Sequence, residues 1–235
     1  MDPKLEASLR EAIDAGVFYG RSKRNTNPKM RNSILYTRNG MEVVNLNVTL
    51  EAMEKAQKVI SEAKHEGKVI MFVGTQPAFA DLVHNFVEKT EIPAVTTRWI
   101  GGLMTNFPVV STRIAHLKKL RSDLGSGAMD KYVKKERTAA EHQMHKLENN
   151  LGTIENLTRV PQLVIILDPI EHRTAVLEAK KLGVPVVAFG NVDAIPEEAA
   201  YLVPGNVQGR KSVAWFLDKV QEALAKAPAA APVTE

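Results

Sequence analysis

The chain has 235 residues, 44% of them hydrophobic, and a formal net charge of +4. That is enough for one core of good size, alone or with an inserted subdomain. The lack of cysteine excludes disulfides, thiolate metal sites and cysteine nucleophiles. No apolar run reaches the ~20 residues that span a bilayer, and Met1-Asp2-Pro3-Lys4 leads into no signal-peptide core, so a soluble, cytoplasmic protein is expected.

In chain order, Leu5 to Ala15 reads as a short amphipathic helix with Leu5, Leu9, Ala12 and Ile13 on one side and Gly16 as its C-cap. The polar run Arg21 to Asn27, closed by Pro28, reads as irregular structure, where binding residues concentrate. Asn39-Gly40 between Ile34–Thr37 and Met41–Leu46 signals a β-hairpin. A helix is predicted from about Val48 to Glu66. Val69–Val73 is an apolar run suited to a strand buried on both faces, and a helix from Pro77 to Thr90 and a short strand at Ile92–Val95 follow. After an intervening segment, Leu163–Leu167 reads as a second fully apolar strand. A helix from about Glu171 to Leu182 follows, capped by Gly183. Then come strands at Val184–Phe189 and Leu202-Val203 and a last helix from about Gly209 to Ala225. The tail 227–235, rich in Ala and Pro, is expected to be disordered. This alternation argues for a mainly parallel, doubly wound α/β sheet over 48–106 and 158–226, with residues 1–47 packing on it.

The intervening segment opens with Arg98-Trp99-Ile100-Gly101-Gly102-Leu103-Met104-Thr105-Asn106. Two helical patterns follow, from about Phe107 to Leu124 and from about Met129 to Leu157. Each carries an apolar seam at steps of three and four: Phe107, Val110, Ile114, Leu117 and Leu124 in the first, Val133, Ala140, Met144, Leu147, Leu151 and Ile154 in the second. With Gly125-Ser126-Gly127 between them, the expectation over 107–157 is an inserted antiparallel coiled-coil hairpin. Its flanks are basic, with Arg113, Lys118, Lys119, Arg121, Lys134, Lys135 and Lys146 among them. A thin cationic arm suits phosphate contact better than capture of a small substrate.

Charge is unevenly spread. Arg21 to Arg38 holds six basic residues and no acid, whereas acids outnumber bases after Glu148. One face for nucleic acid and another for a different partner would give such an asymmetry, as would an ordinary solvated surface. The candidate RNA contacts in the basic loop are Arg21, Lys23, Arg24, Asn27, Lys29 and Arg31. Those beside the helices are Arg98, Trp99, Thr105 and Asn106. Those on the insert are Arg113, Lys118, Lys119, Lys134 and Lys135. Cations among short hydrogen-bonding side chains fit phosphate and ribose, and Trp99 could stack on a base or wedge the insert against the sheet.

Catalytic readings are weaker. The loop Gly74-Thr75-Gln76-Pro77-Ala78-Phe79 lacks both glycine-rich phosphate motifs, so Gly74, Thr75 and Asp168 read more simply as turn and capping residues. A flavodoxin-like nucleotide or flavin enzyme using Gly74, Thr75 and Gly190 is the rival reading, and a protein-only coiled-coil adaptor is a second. His142 and His145, with Glu141 and Glu148 near, could contribute metal ligands, but a solvated helix face explains them better. No catalytic residue, cofactor site or metal site is assigned.

Several motifs together resemble one family, the bacterial-type second protein of the small ribosomal subunit. Gly16-Val17-Phe18-Tyr19-Gly20 and Asn27-Pro28-Lys29-Met30 resemble its N-terminal signature, and Phe72-Val73-Gly74-Thr75 its first core strand. Arg98 through Asn106 is close to its most specific motif. Lys134-Lys135-Glu136 and Lys146 through Gly152 are similar to its coiled-coil motifs, and Asp168 through Pro185 and Val203-Pro204-Gly205-Asn206 to its C-terminal half. The resemblance implies a flavodoxin-like α/β domain with an inserted coiled-coil hairpin and a structural role in the small subunit. The implied partners are ribosomal RNA and neighbouring small-subunit proteins, which in some bacteria include the large multi-OB-fold protein that captures messenger RNA. It implies no enzymatic activity and no membrane association. Departures stand at Phe18 and Arg21, where the family usually has histidines. Further ones stand at Gly190 to Pro196, where it usually has Asp-Thr-Asn-x-Asp-Pro, and at Gln208, Arg210 and Lys211, where it tends to be acidic.

Overall fold

A computed structural model describes residues 3–126 and 133–226. Helix α1 (Pro3–Asp14) leads into a turn at Gly16, whose φ of +69° suits a glycine C-cap. Strands β1 (Tyr19–Ser22), β2 (Ile34–Arg38) and β3 (Met41–Val44) form a small antiparallel sheet in the order β1-β3-β2. The stretch predicted as irregular is therefore partly a strand, followed by 3-10 turns at Lys23–Asn25 and Pro28–Ser33. The hairpin turn lies where expected: Asn39 (φ +50°) and Gly40 (φ +77°) both take the left-handed backbone of a type I′ turn.

Helix α2 (Leu46–His65) starts on an Asn45 cap and buries Leu50, Met53, Ala56, Ile60 and Ala63 along one stripe. Five parallel strands follow: β4 (Ile70–Val73), β5 (Ala94–Val95), β6 (Leu163–Leu167), β7 (Val186–Gly190) and β8 (Tyr201–Pro204), ordered β5-β4-β6-β7-β8. Numbered within the sheet, that order is 2-1-3-4-5, the flavodoxin-like doubly wound order. Successive strand residues point to opposite faces, which is why β4 and β6 must be apolar throughout. Ile70, Phe72, Leu163, Ile165 and Leu167 join a core with α1, α2, α3 (Ala80–Thr90) and α7 (Arg210–Lys226). Met71, Val73, Val164 and Ile166 join a second core with α4 (Phe107–Gly125), α6 (Arg173–Lys181) and Leu151, Ile154 and Leu157.

The insert differs in shape from the expected arm. The seam of α4 does not face only its partner helix: Val110, Ile114 and Leu117 belong to the second core, and Leu117 is fully buried. The second helix is shorter than its pattern. It runs as α5 (Lys134–Leu151) and gives way to a 3-10 turn at Gly152–Ile154, while the predicted start at Met129 lies outside the described residues. Polar side-chain contacts between α4 and α5 include His116 with Gln143 at 3.1 Å and Arg121 with Glu148 at 2.8 Å. Thr97 Oγ1 donates to Asn149 O at 2.8 Å, so the end of α5 lies beside the segment that leads into α4. The predicted tail 227–235 and Gly127 also lie outside the described residues.

Candidate nucleic-acid interface

The motif Arg98–Asn106 closes around one carboxylate. Glu178 of α6, 9% exposed, accepts Trp99 Nε1 at 3.0 Å, Gly102 N at 2.8 Å, and Met104 N, Thr105 N and Thr105 Oγ1 at 3.1–3.2 Å. Burial alone would push the Glu178 carboxyl upward, but these hydrogen bonds outweigh it and hold the group below its ordinary value. The positive φ of Gly102 (+86°) lets the loop turn so that its amides converge. Trp99, a candidate for base stacking or for wedging the insert against the sheet, and Thr105, a candidate RNA contact, turn polar atoms to Glu178 and so fasten the start of α4 to α6. Arg98 and Asn106 in the same motif remain exposed.

Arg21 is likewise committed internally. Its Nε lies 2.9 Å from Asp193 and its Nη2 3.9 Å from Asp168, with all three side chains largely buried. Asn27 donates to Ala194 O at 2.9 Å, receives Lys29 N at 3.1 Å as a cap, and its own amide reaches Val192 O. Lys29 pairs with Glu197 at 2.5 Å, and this pairing holds the Glu197 carboxyl below its ordinary value. The basic loop thus clamps the loop after β7. Two of the places where the chain departs from the family pattern, Arg21 and the 190–196 loop, are partners of each other. The third is also paired: Arg210 forms an ion pair with Asp81 of α3.

This clamp reaches Asp168 after β6 and the loop after β7, beside the crevice where the rival enzyme reading needs a ligand. The switch point of the sheet lies between β4 and β6, and a doubly wound fold binds its ligands at the carboxyl ends of the strands there. Those ends are joined by their own side chains. Thr75 N and Oγ1 lie 3.2 and 3.0 Å from His172 Nε2, and Gln76 Nε2 donates to Asp168 Oδ2 at 3.2 Å. Asp168 Oδ1 caps the following turn through the amides of Ile170 and Glu171. Gly190, the third residue of that reading, is walled by Leu202, Ala194 and Pro169.

Lys23, Arg24 and Arg31 of the basic loop are exposed, with no acidic partner among the described residues. The same holds for Arg113, Lys118 and Lys119 on α4 and for Lys134 and Lys135 on α5. Two arginines of the insert are paired: Arg121 is bound at 2.8 Å to both Glu148 and Glu155, and Arg137 lies 3.3 Å from Glu141. Glu148 also lies 3.8 Å from His145 Nδ1.

An α/β scaffold with exposed cations on its small sheet and its inserted helices is the class these features define. The family model for ribosomal protein S2 matches residues 12–227, and the chain belongs to that family. It is 31% identical to small ribosomal subunit protein uS2 of Thermus thermophilus over 95% of this chain and 87% of that protein. Over 85% of this chain and 74% of its counterpart, it is 40% identical to the uS2 of Corynebacterium urealyticum, and it is 36% identical to that of Kocuria rhizophila over 93% and 77%.

Proposed function

We infer that the chain is a structural constituent of the small ribosomal subunit, a ribonucleoprotein component that works in translation without catalysing a reaction. Family membership across residues 12–227 is the observation that carries this. Members of the family sit in the small subunit, which in bacteria lies in the cytoplasm, and no described helix is long and apolar enough to cross a membrane. The partners that follow are small-subunit ribosomal RNA and neighbouring ribosomal proteins.

Within that role, the contact residues proposed are the unpaired cations: Lys23, Arg24 and Arg31 on the basic loop, Arg98 before α4, and Arg113, Lys118, Lys119, Lys134 and Lys135 on the insert. Their support is exposure without an acidic partner, which leaves their charge available to phosphates. Arg21, Asn27, Lys29, Trp99 and Thr105 position these groups rather than touch RNA. The antiparallel coiled-coil reading of 107–157 is supported by its two apolar seams and by the contact of Thr97 Oγ1 with Asn149 O, which sets the end of α5 beside the approach to α4. Contact with the messenger-capturing multi-OB-fold protein is proposed from the family resemblance. Co-sedimentation of the chain with small subunits stripped of their own copy tests the role. Stoichiometric binding is expected, and a folded chain that stays in the supernatant would refute it.

A further inference from the structure

The small sheet presents a surface that the clamp does not use. Directly opposed residues of antiparallel strands share a face, and Val43 of the central strand β3 opposes Tyr19 on one side and Tyr36 on the other. The row Tyr19–Val43–Tyr36 therefore lies on one face. Met41 and Arg38, paired two residues along, share it. Alternation along β3 puts Glu42 and Val44 on the opposite, buried side, where Glu42 accepts Thr37 Oγ1 at 2.7 Å. The outer face is open: Tyr19 is 58% exposed, Tyr36 50% and Met41 47%. Beside them Leu35, extra at the β2 bulge, is 59% exposed.

Four large apolar side chains in the open on so small a sheet call for an occupant. Its chemistry follows from what borders them. Arg38 shares the face, Lys23 is bonded through its amide to the hairpin-turn carbonyl of Gly40, and Arg24 follows it. None of these cations has an acidic partner among the described residues, and residues 21 to 38 contain no acid. Two strand spacings of ~4.8 Å set the tyrosines roughly 10 Å apart. The Tyr19 ring is braced on Phe18, centroids 4.2 Å apart. Tyrosine rings at that separation, rimmed by free cations, match single-stranded RNA, whose bases stack on aromatics while phosphates meet Lys and Arg.

We propose that the outer face of the β1-β3-β2 sheet is a stacking platform for unpaired nucleotides, with Tyr36 and Tyr19 taking bases and Arg38, Lys23 and Arg24 taking the phosphates between them. It rests on the RNA-binding role inferred above and adds that this face receives a looped or single-stranded segment, leaving duplex to the insert.

The test uses the full chain, a labelled single-stranded RNA of about 10 nucleotides and a blunt duplex of the same length. Tyr36→Ala should weaken single-strand binding about five-fold or more, and Tyr19→Ala similarly, while duplex binding changes less than about two-fold. Tyr36→Phe should keep wild-type affinity, and Tyr36→Leu should not restore it. Single-strand affinity unchanged in Tyr36→Ala overturns the platform, as does an equal loss on both RNAs. Full affinity in Tyr36→Leu also overturns it, because an apolar contact of the kind a neighbouring protein would make then suffices. Should Tyr36→Ala fold poorly, the Phe and Leu variants decide alone. A chain that binds neither RNA overturns the RNA-binding role together with the platform. Binding of both RNAs with indifferent tyrosines overturns the platform only.

Discussion

Trp99 Nε1 donates a hydrogen bond to Glu178 Oε1 across 3.0 Å, joining residues 79 apart in sequence. The bond is one of five that converge on the same carboxylate, and through them α6 fixes the turn from which α4 departs. The motif Arg98–Asn106 is therefore a fastening for the insert.

Glu178→Gln should destabilise the chain by about 3 kcal/mol at neutral pH, because an amide cannot accept from so many donors and leaves some buried without a partner. The folded Glu178 titrates below its ordinary value. Its stabilising contribution is then present above the unfolded value and is lost as pH falls through the folded one. Urea unfolding of both proteins should show a gap that holds from neutral to about pH 5 and closes only as pH falls below about 4.3, the ordinary glutamate value. A gap independent of pH would contradict this.

Arg21→Ala should also destabilise, by about 3 kcal/mol, since it leaves Asp168 and Asp193 buried near each other without their cation. Burial already pushes the Asp193 carboxyl upward, Arg21 opposes the shift, and Asp168 adds to it. Removing Arg21 raises Asp193 further, and a raised carboxyl costs stability as pH climbs through the window above its unfolded value. The deficit should thus be largest at neutral pH and shrink in acid, read as the difference in unfolding midpoints between variant and parent.

Glycine substitutions should split by site. A Cβ on Gly205 would run into the Phe189 ring and approach Val17, so Gly205→Ala should cost about 1–3 kcal/mol. Gly125, the last residue of α4, has open space at that position, and Gly125→Ala should stabilise by about 0.4–1 kcal/mol. Thermal melts of the two variants should move in opposite directions.

The insert can be measured with spin labels, because the chain has no cysteine to interfere. Asn149 meets Thr97 beside the approach to α4, so labels at Ser111 and Asn150 should lie close together. Labels at Ser111 and Thr138 should be farther apart by up to roughly 18 Å, the rise of the intervening helix. The reverse order of distances would rule out the antiparallel hairpin.

What the sequence disclosed was local. Leu163–Leu167 is a strand over the predicted residues because both its faces are buried and every position had to be apolar. Asn39-Gly40 announced its turn because that backbone suits few residues. What stayed hidden was distant partnership. Arg21 reads as one free cation among several until the fold brings Asp193 beside it, and nothing near Trp99 in sequence points to Glu178. The seams of α4 and α5 read as a complete two-helix interface because periodicity identifies an apolar face without saying what covers it. Here the sheet takes much of it. Tyr19, Tyr36 and Met41 drew no functional reading because their alignment on one face depends on strand register and a bulge.

Salt titration of RNA binding tests the division between paired and free cations most directly. Replacing Lys118, Lys119, Lys134 and Lys135 with Ala should reduce the slope of log affinity against log salt by about 3, from ~0.7–0.9 per phosphate contact. Arg21→Ala, measured where it remains folded, should leave the slope as it is. An unchanged slope in the quadruple variant, or a lowered one in Arg21→Ala, would contradict that division.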